Sequence, residues 1–149
     1  MTTVRVEWPH ESRELIAGAR VARFATADAS GNPHIVPICF VLNGDRLYWV
    51  VDAKPKKSPL DLKRLRNIAA NPRVAVLVDR YDEDWSRLQW AMLRGTAAVV
   101  TDADEYSSAI DLLRRRYEQY TATAFRAATN PLVRVDIERV IGWRFDSHE

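Results

Sequence analysis

The sequence predicts a mainly β, α+β domain: an antiparallel barrel of about six strands with peripheral helices. Two observations lead there. Asn43-Gly44-Asp45 separates two apolar runs, and Asn-Gly supplies the positive φ angles that a short hairpin turn needs. The remaining apolar runs are joined mostly by turns, without the regular strand–helix alternation of a parallel sheet.

The elements follow in order. Ser12 to Gly18 reads as a short helix with Ser12 as N-cap and Leu15 and Ile16 as its apolar contacts. Arg20 to Asp28 is the first strand, with Val21, Arg23 and Ala25 on one face and Ala22, Phe24 and Thr26 on the other. Ser30-Gly31-Asn32-Pro33 is a turn by composition. His34 to Leu42 then pairs with Arg46 to Asp52 as a hairpin. The first of these strands is apolar on both faces, which predicts burial on both sides. Pro37 cannot donate a ladder hydrogen bond, which predicts an edge position or a local gap.

Pro59 to Ala70 reads as a helix with Leu62, Leu65 and Ile68 on one face, ended by Asn71-Pro72. Ser58 suits its N-cap, Pro59 its first turn and Asp61 its third position. Arg73 to Asp79 and Leu88 to Thr101 are strands, with a bulge or bend expected at Gly95. Asp102 and its neighbours cap a third helix, in which Tyr106, Ile110, Leu113, Tyr117 and Tyr120 recur at helical spacing. Leu132 to Phe145 closes the chain as a strand interrupted near Gly142.

Composition sets the bounds. Residues 1–149 fit a single domain, and 47% hydrophobic with 28% charged residues is ordinary for a soluble globular protein. No apolar run approaches the roughly 20 residues of a membrane span, and Met1 to Ser12 holds no signal-peptide core. The single Cys39 excludes an internal disulfide; a cytoplasmic location is expected. A net charge of +2 gives no support to nucleic-acid binding, and the aromatics do not interleave with the lysines as a stacking platform would.

The basic residues are nevertheless concentrated. Lys54, Lys56 and Lys57 crowd the loop before the Ser58-Pro59 helix start, and a helix N-terminus beside ammonium groups is a seat for a phosphate. The same lysines would equally serve a solvated loop. Trp85, flanked by Asp82, Glu83 and Asp84, has little local reason to be buried, so a stacking or interface role is expected. Trp49, Trp90 and Trp143 lie in strands and read as core or dimer contacts. No glycine-rich phosphate loop is present, and His10, His34 and His148 lie far apart, so neither a nucleotide loop nor a metal site is expected. Cys39 reads as a small buried hydrophobe. Any chemistry would come from a cofactor.

Five segments carry a resemblance across nearly the whole chain: ATADASGNPHIVPICF (25–40), LYWVVDAKPKK (47–57), LRNIAANPRVAVLVD (65–79), DWSRLQWAMLRGTA (84–97) and VDIERVIGWRF (135–145). Their order and spacing resemble the pyridoxamine-phosphate-oxidase-like split β-barrel proteins, in the actinobacterial branch that binds the deazaflavin coenzyme F420. The resemblance implies a six-stranded split barrel and a homodimer with two cofactor sites at the subunit interface. It implies a cofactor phosphate at Lys54, Lys56, Lys57, Arg64 and Asn67, and a ring along Val36, Pro37, Ile38 and Cys39 against Val50, Val51 and Asp52. Asp84-Trp85 would approach the ring. In many relatives the basic run is compact, whereas here a longer loop and helix separate Lys54-Pro55-Lys56-Lys57 from Arg66-Asn67, so which lysine takes the phosphate stays open. The implied reaction is hydride transfer to a small organic acceptor, with no catalytic side chain. An FMN-dependent enzyme of the same fold and a non-catalytic F420-binding or storage protein are the alternatives.

Overall fold

Consecutive strands at opposite edges of one sheet set the architecture. A computed structural model describes residues 5–52 and 62–146. Its strands are β1 (Ala22–Ala27), β2 (Pro33–Ile38), β3 (Val41–Asn43), β4 (Arg46–Val50), β5 (Arg73–Arg80), β6 (Gln89–Val99) and β7 (Leu132–Arg144). They form one antiparallel sheet of seven strands in the order β2-β1-β5-β6-β7-β4-β3. Only Cys39 and Phe40 separate β2 from β3. An extended chain spans at most about 3.6 Å per residue, so the two outermost strands must approach within roughly 11 Å. The sheet therefore curls into a split barrel.

The expected first hairpin strand is thus two strands, and the count rises from six to seven. Its residues change partners at the seam: Ile38 pairs with Ala22 on β1, whereas Val41 pairs with Tyr48 on β4. The turn is tighter than expected as well. Asn43 pairs with Arg46, leaving Gly44-Asp45 as the loop, and Gly44 alone takes a positive φ, 63°.

Tyr117 holds the seam. Its hydroxyl accepts from the Phe40 N–H at 3.0 Å and faces the carbonyls of Arg20 and Phe40 at 2.9 and 3.1 Å. Phe40 has no exposure and lies between two ladders, so these backbone groups depend on a side chain for satisfaction.

Alternation along the strands builds two cores. Phe24, Leu47, Trp49, Val76, Leu93, Val133 and Val135 point into the barrel with Leu15 and Ile16 from α1 (Ser12–Gly18) and Leu65 and Ile68 from α2 (Lys63–Ala70). Val41, Tyr48, Val50 and Leu132 point outward beneath Tyr106, Ile110 and Leu113 of α3 (Ala103–Arg116) and the following Tyr117 and Tyr120. β4 is therefore buried on both faces. β2 is not: it lies at the sheet edge that Pro37 implies, and its outward Ile35 is 62% exposed, with no helix among the described residues covering that side.

Helix starts depart from expectation where tertiary contacts compete. Ser12 is the first helical residue and not the cap; the cap position falls to Glu11 in the left-handed region, φ 59°, while the Ser12 side chain turns inward and is buried. α2 begins at Lys63, because Leu62 leaves the helical region (ψ 133°) and packs its side chain on the barrel core. The expected capping residues Ser58, Pro59 and Asp61 lie outside the described residues. Asp102 caps α3 as expected, accepting from the Glu105 N–H at 2.8 Å.

Two glycines admit close neighbours. At Gly95 the β6–β7 register shifts, and a β-carbon there would collide with the Asp136 carbonyl. Gly142 does not interrupt β7; it leaves room for the N-terminal segment, since a β-carbon would sit 3.1 Å from the Pro9 carbonyl oxygen.

Two predictions follow from this geometry. Tyr117→Phe strands buried backbone groups and is expected to cost about 1–3 kcal/mol, read as a lower urea midpoint at unchanged slope. The Asp28 carboxylate accepts from the Ser30 and Asn32 N–H groups, both at 2.9 Å, and from the Asn32 amide at 2.9 Å. Chiefly the Asn32 side chain holds its pKa down from 3.8 to about 2. A depressed carboxylate pKa stabilises the fold above the unfolded value and loses that contribution as pH falls through the folded one. The Ser30 and Asn32 amide signals should titrate with a midpoint near 2; a midpoint near 3.8 would contradict the assignment.

Candidate cofactor site

The seam between β2 and β3 opens onto a small cavity of about 50 Å³ lined by Pro37, Ile38, Cys39, Trp49, Val50, Asp52 and Arg64. Three segments distant in sequence meet there: the β2–β3 crossover, the end of β4 and the first turn of α2. Of the residues expected to hold a cofactor, six line this cavity: Pro37, Ile38, Cys39, Val50, Asp52 and Arg64. Lys54, Lys56 and Lys57 lie outside the described residues.

The other four expected residues are placed elsewhere. Val36 packs against the barrel core and Val51 is 1% exposed inside it. Both Val51 backbone groups are engaged, the N–H by the Pro131 carbonyl at 2.9 Å and the carbonyl by the Asn130 amide at 2.8 Å. Asn67 is 1% exposed and donates its amide to the Thr26 hydroxyl at 2.9 Å, which ties α2 to β1. Trp85 is 61% exposed on a single 3₁₀ turn, Trp85–Arg87, between β5 and β6. Asp84 caps that turn, accepting from the Ser86 N–H at 3.1 Å and hydroxyl at 2.6 Å.

Arg64 dominates the electrostatics. Its guanidinium lies 5.4 Å from the centroid of the Trp49 ring, a cation–π contact. The Nε atom is buried and has no hydrogen-bond partner among the described residues, and the Trp49 indole nitrogen is in the same condition. Burial pushes the Arg64 pKa below its usual value, offset in part by the Asp52 carboxylate. Asp52 itself accepts from the Tyr120 hydroxyl. Burial first, and this carboxylate second, drive the Tyr120 pKa far upward. A half-buried cation with an unused donor suits an anionic ligand group, because part of the guanidinium's desolvation cost is present before anything binds.

Trp49 was expected in the core and is there, 2% exposed and edge-on to Phe24 at 5.2 Å. Its place under Arg64 had no sequence signal, since the two residues are brought together only by the packing of α2 on the barrel.

A family model for pyridoxamine 5'-phosphate oxidase matches residues 8–144, nearly the whole chain. The chain belongs to that family. Solved structures share the fold. A FAD-binding protein of Mesorhizobium loti is 24% identical with a TM-score of 0.67, covering 89% of this chain and 91% of its own. A 5-nitroimidazole antibiotic resistance protein assigned in Bacteroides thetaiotaomicron is 21% identical with a TM-score of 0.72, covering 93% and 85%. A heme storage protein of Vibrio cholerae is 17% identical with a TM-score of 0.67, covering 90% and 92%. At these identities the likeness is one of fold. No curated protein matches the chain.

Arg64→Met keeps the aliphatic packing and removes the buried charge. Its thermal midpoint is expected to equal or exceed that of the parent, while affinity for FMN or coenzyme F420 falls about tenfold or more. A lower midpoint with unchanged affinity would make Arg64 a structural residue.

Proposed function

We propose that the chain binds a flavin-type cofactor at the seam, that this cofactor is the deazaflavin coenzyme F420, and that the protein is an oxidoreductase acting on a small organic acceptor. Family membership supports the flavin-type cofactor. The observation that carries the placement is the half-buried Arg64 guanidinium with its unpartnered Nε beside Pro37, Ile38 and Cys39. When bound, the reduced deazaflavin supplies a hydride.

The chain's own residues hold and orient. Arg64, with Lys54, Lys56 and Lys57 of the preceding segment, neutralises the phosphate. The crossover at Pro37, Ile38 and Cys39 and the end of β4 at Val50 and Asp52 form the wall for the ring. Tyr120, kept protonated by burial and by Asp52, holds the Asp52 carboxylate in place.

A homodimer accords with the outward face of the sheet. The register aligns Pro37, Arg23, Leu77, Met92 and Ile141 across β2, β1, β5, β6 and β7, and Trp143, 37% exposed, lies beside that row. This row, apolar except for the exposed Arg23, begins at Pro37 on the cavity wall and is a surface that a second copy would cover, completing the site at the interface.

FMN is the second reading, and one ion pair favours it. Coenzyme F420 carries a polyglutamate tail that FMN lacks, and the basic residues Lys63, Arg64 and Arg66 of α2 would suit that tail; Lys63, however, pairs with Asp28 at 3.5 Å.

Fluorescence titration of the purified protein against coenzyme F420 and, separately, FMN decides between them. Tight F420 binding with weak FMN binding is expected, together with a marked loss on replacing Lys54, Lys56 and Lys57 by Gln. Preference for FMN moves the protein to the flavin reading, and binding of neither sinks the function while leaving the fold standing. Turnover of a nitroaromatic or enone panel with reduced F420 separates an enzyme from a storage protein.

A further inference from the structure

A second basic site lies on the outward face of the barrel, away from the seam. Arg94 on β6 stands directly opposite Arg139 on β7, and Ala75, the β5 partner of Arg94, is two residues from Arg73 on the same face. All three arginines are exposed. Like charges directly opposite across a ladder destabilise it.

Among the described residues none of the three has a relieving partner. The ion pairs among the described residues engage Arg13, Arg46, Lys63, Arg87, Arg134 and Arg144, and leave Arg73, Arg94 and Arg139 without one. The nearby carboxylates of Asp28 and Asp136 are committed to Lys63 and to Arg46 and Arg134. Among the described residues two carboxylates outside any ion pair reach this region: Glu138, which lines a cleft with Arg73 and Arg94, and Glu7, which lines the neighbouring one with Arg139.

Shape adds to charge. Arg73, Arg94 and Glu138 rim a cleft of about 430 Å³ whose other lining residues are small: Ala25, Ala27, Ala75 and Gly95 among them. The register shift at Gly95 brings Glu138 and Arg139 to this edge. Small side chains leave the space between Arg73 and Arg94 unfilled, and Arg139, across the ladder from Arg94, lines the neighbouring cleft that shares Glu138.

We propose that Arg73, Arg94 and Arg139 form a binding site for a multivalent oxyanion, a phosphate or polycarboxylate group, distinct from the seam cavity. Guanidinium forks bind such oxygens in pairs, and occupation relieves the Arg94–Arg139 repulsion. The site is independent of the cofactor proposed at the seam.

Calorimetry and thermal melting against inorganic phosphate and citrate, with chloride at matched ionic strength as reference, test it. Saturable binding is expected, with a midpoint that climbs with the logarithm of anion concentration. The tighter of the two probes identifies the ligand as phosphoryl or carboxylate. Arg94→Gln and Arg139→Gln are each expected to weaken binding about tenfold or more. In anion-free, low-salt buffer the same variants should melt higher than the parent, which a purely structural role would not produce. Glu138→Gln should tighten binding. F420 and FMN titrations of Arg94→Gln should match the parent, so failure here is distinguishable from failure at the seam. No saturable response, or a response unchanged in Arg94→Gln, overturns the proposal. So does a change of sedimentation mass in Arg94→Gln with anion binding intact, which would assign the arginines to the carboxylates of a second copy.

Discussion

The barrel depends on one side-chain hydroxyl satisfying a backbone that has left its sheet. Between Ile38 and Val41 the chain passes from one sheet edge to the other, and Phe40 is buried in passing. A buried N–H or carbonyl without a partner costs as much as a lost hydrogen bond. The Tyr117 hydroxyl accepts from the Phe40 N–H and directs its single proton at the paired carbonyls of Arg20 and Phe40. The Arg116 guanidinium beside it stacks over the Phe40 ring and donates to the carbonyls of Ala17 and Ala19. The end of α3 is therefore the clasp on the seam, and the seam is where the candidate cofactor site opens.

Closure explains why the site is electrostatically expensive. The crossover, the end of β4 and the start of α2 converge, so Arg64 is drawn partly out of water, with the Trp49 ring face and the Asp52 carboxylate as neighbours among the described residues. A fold selected for stability alone gains little from such a group. A fold that must receive an anion gains a donor part of whose desolvation has already been met. The outward arginines are a different case: exposed and solvated, they repel each other at modest cost, and a ligand would add to them bonds that water now makes.

Much of the architecture was legible in the sequence because it is local. The period-two alternation of Ala22, Phe24 and Thr26 against Arg23 is seen in the burial of β1. The apolar spacing of Tyr106, Ile110 and Leu113 sets the face that α3 presents to the barrel, and the Gly95 bulge stands where expected. Legibility failed where a residue answers to a distant one. Ser12 is an ordinary N-cap by type, yet its side chain is drawn inward by the barrel end. Asn67 is polar on a basic helix, yet it is buried on Thr26. Trp49 carries the sequence signal of any core tryptophan, and nothing in it marks Arg64 as its neighbour.

Of the expected cofactor residues, Pro37 to Cys39 lie just before β3 and Val50 and Asp52 at and beyond the end of β4, so the β3–β4 hairpin between them brings the two groups together. By itself the sequence determined the strand and helix periods, the turn at Gly44 and the local concentration of basic residues, since each rests on neighbours within a few positions. Only the tertiary structure decided that the first hairpin strand splits at Cys39-Phe40. It alone decided that Arg64 faces the seam, and that Arg94 meets Arg139. Those outcomes follow from how a seven-stranded sheet curls and registers, a constraint on residues tens of positions apart that no local pattern records.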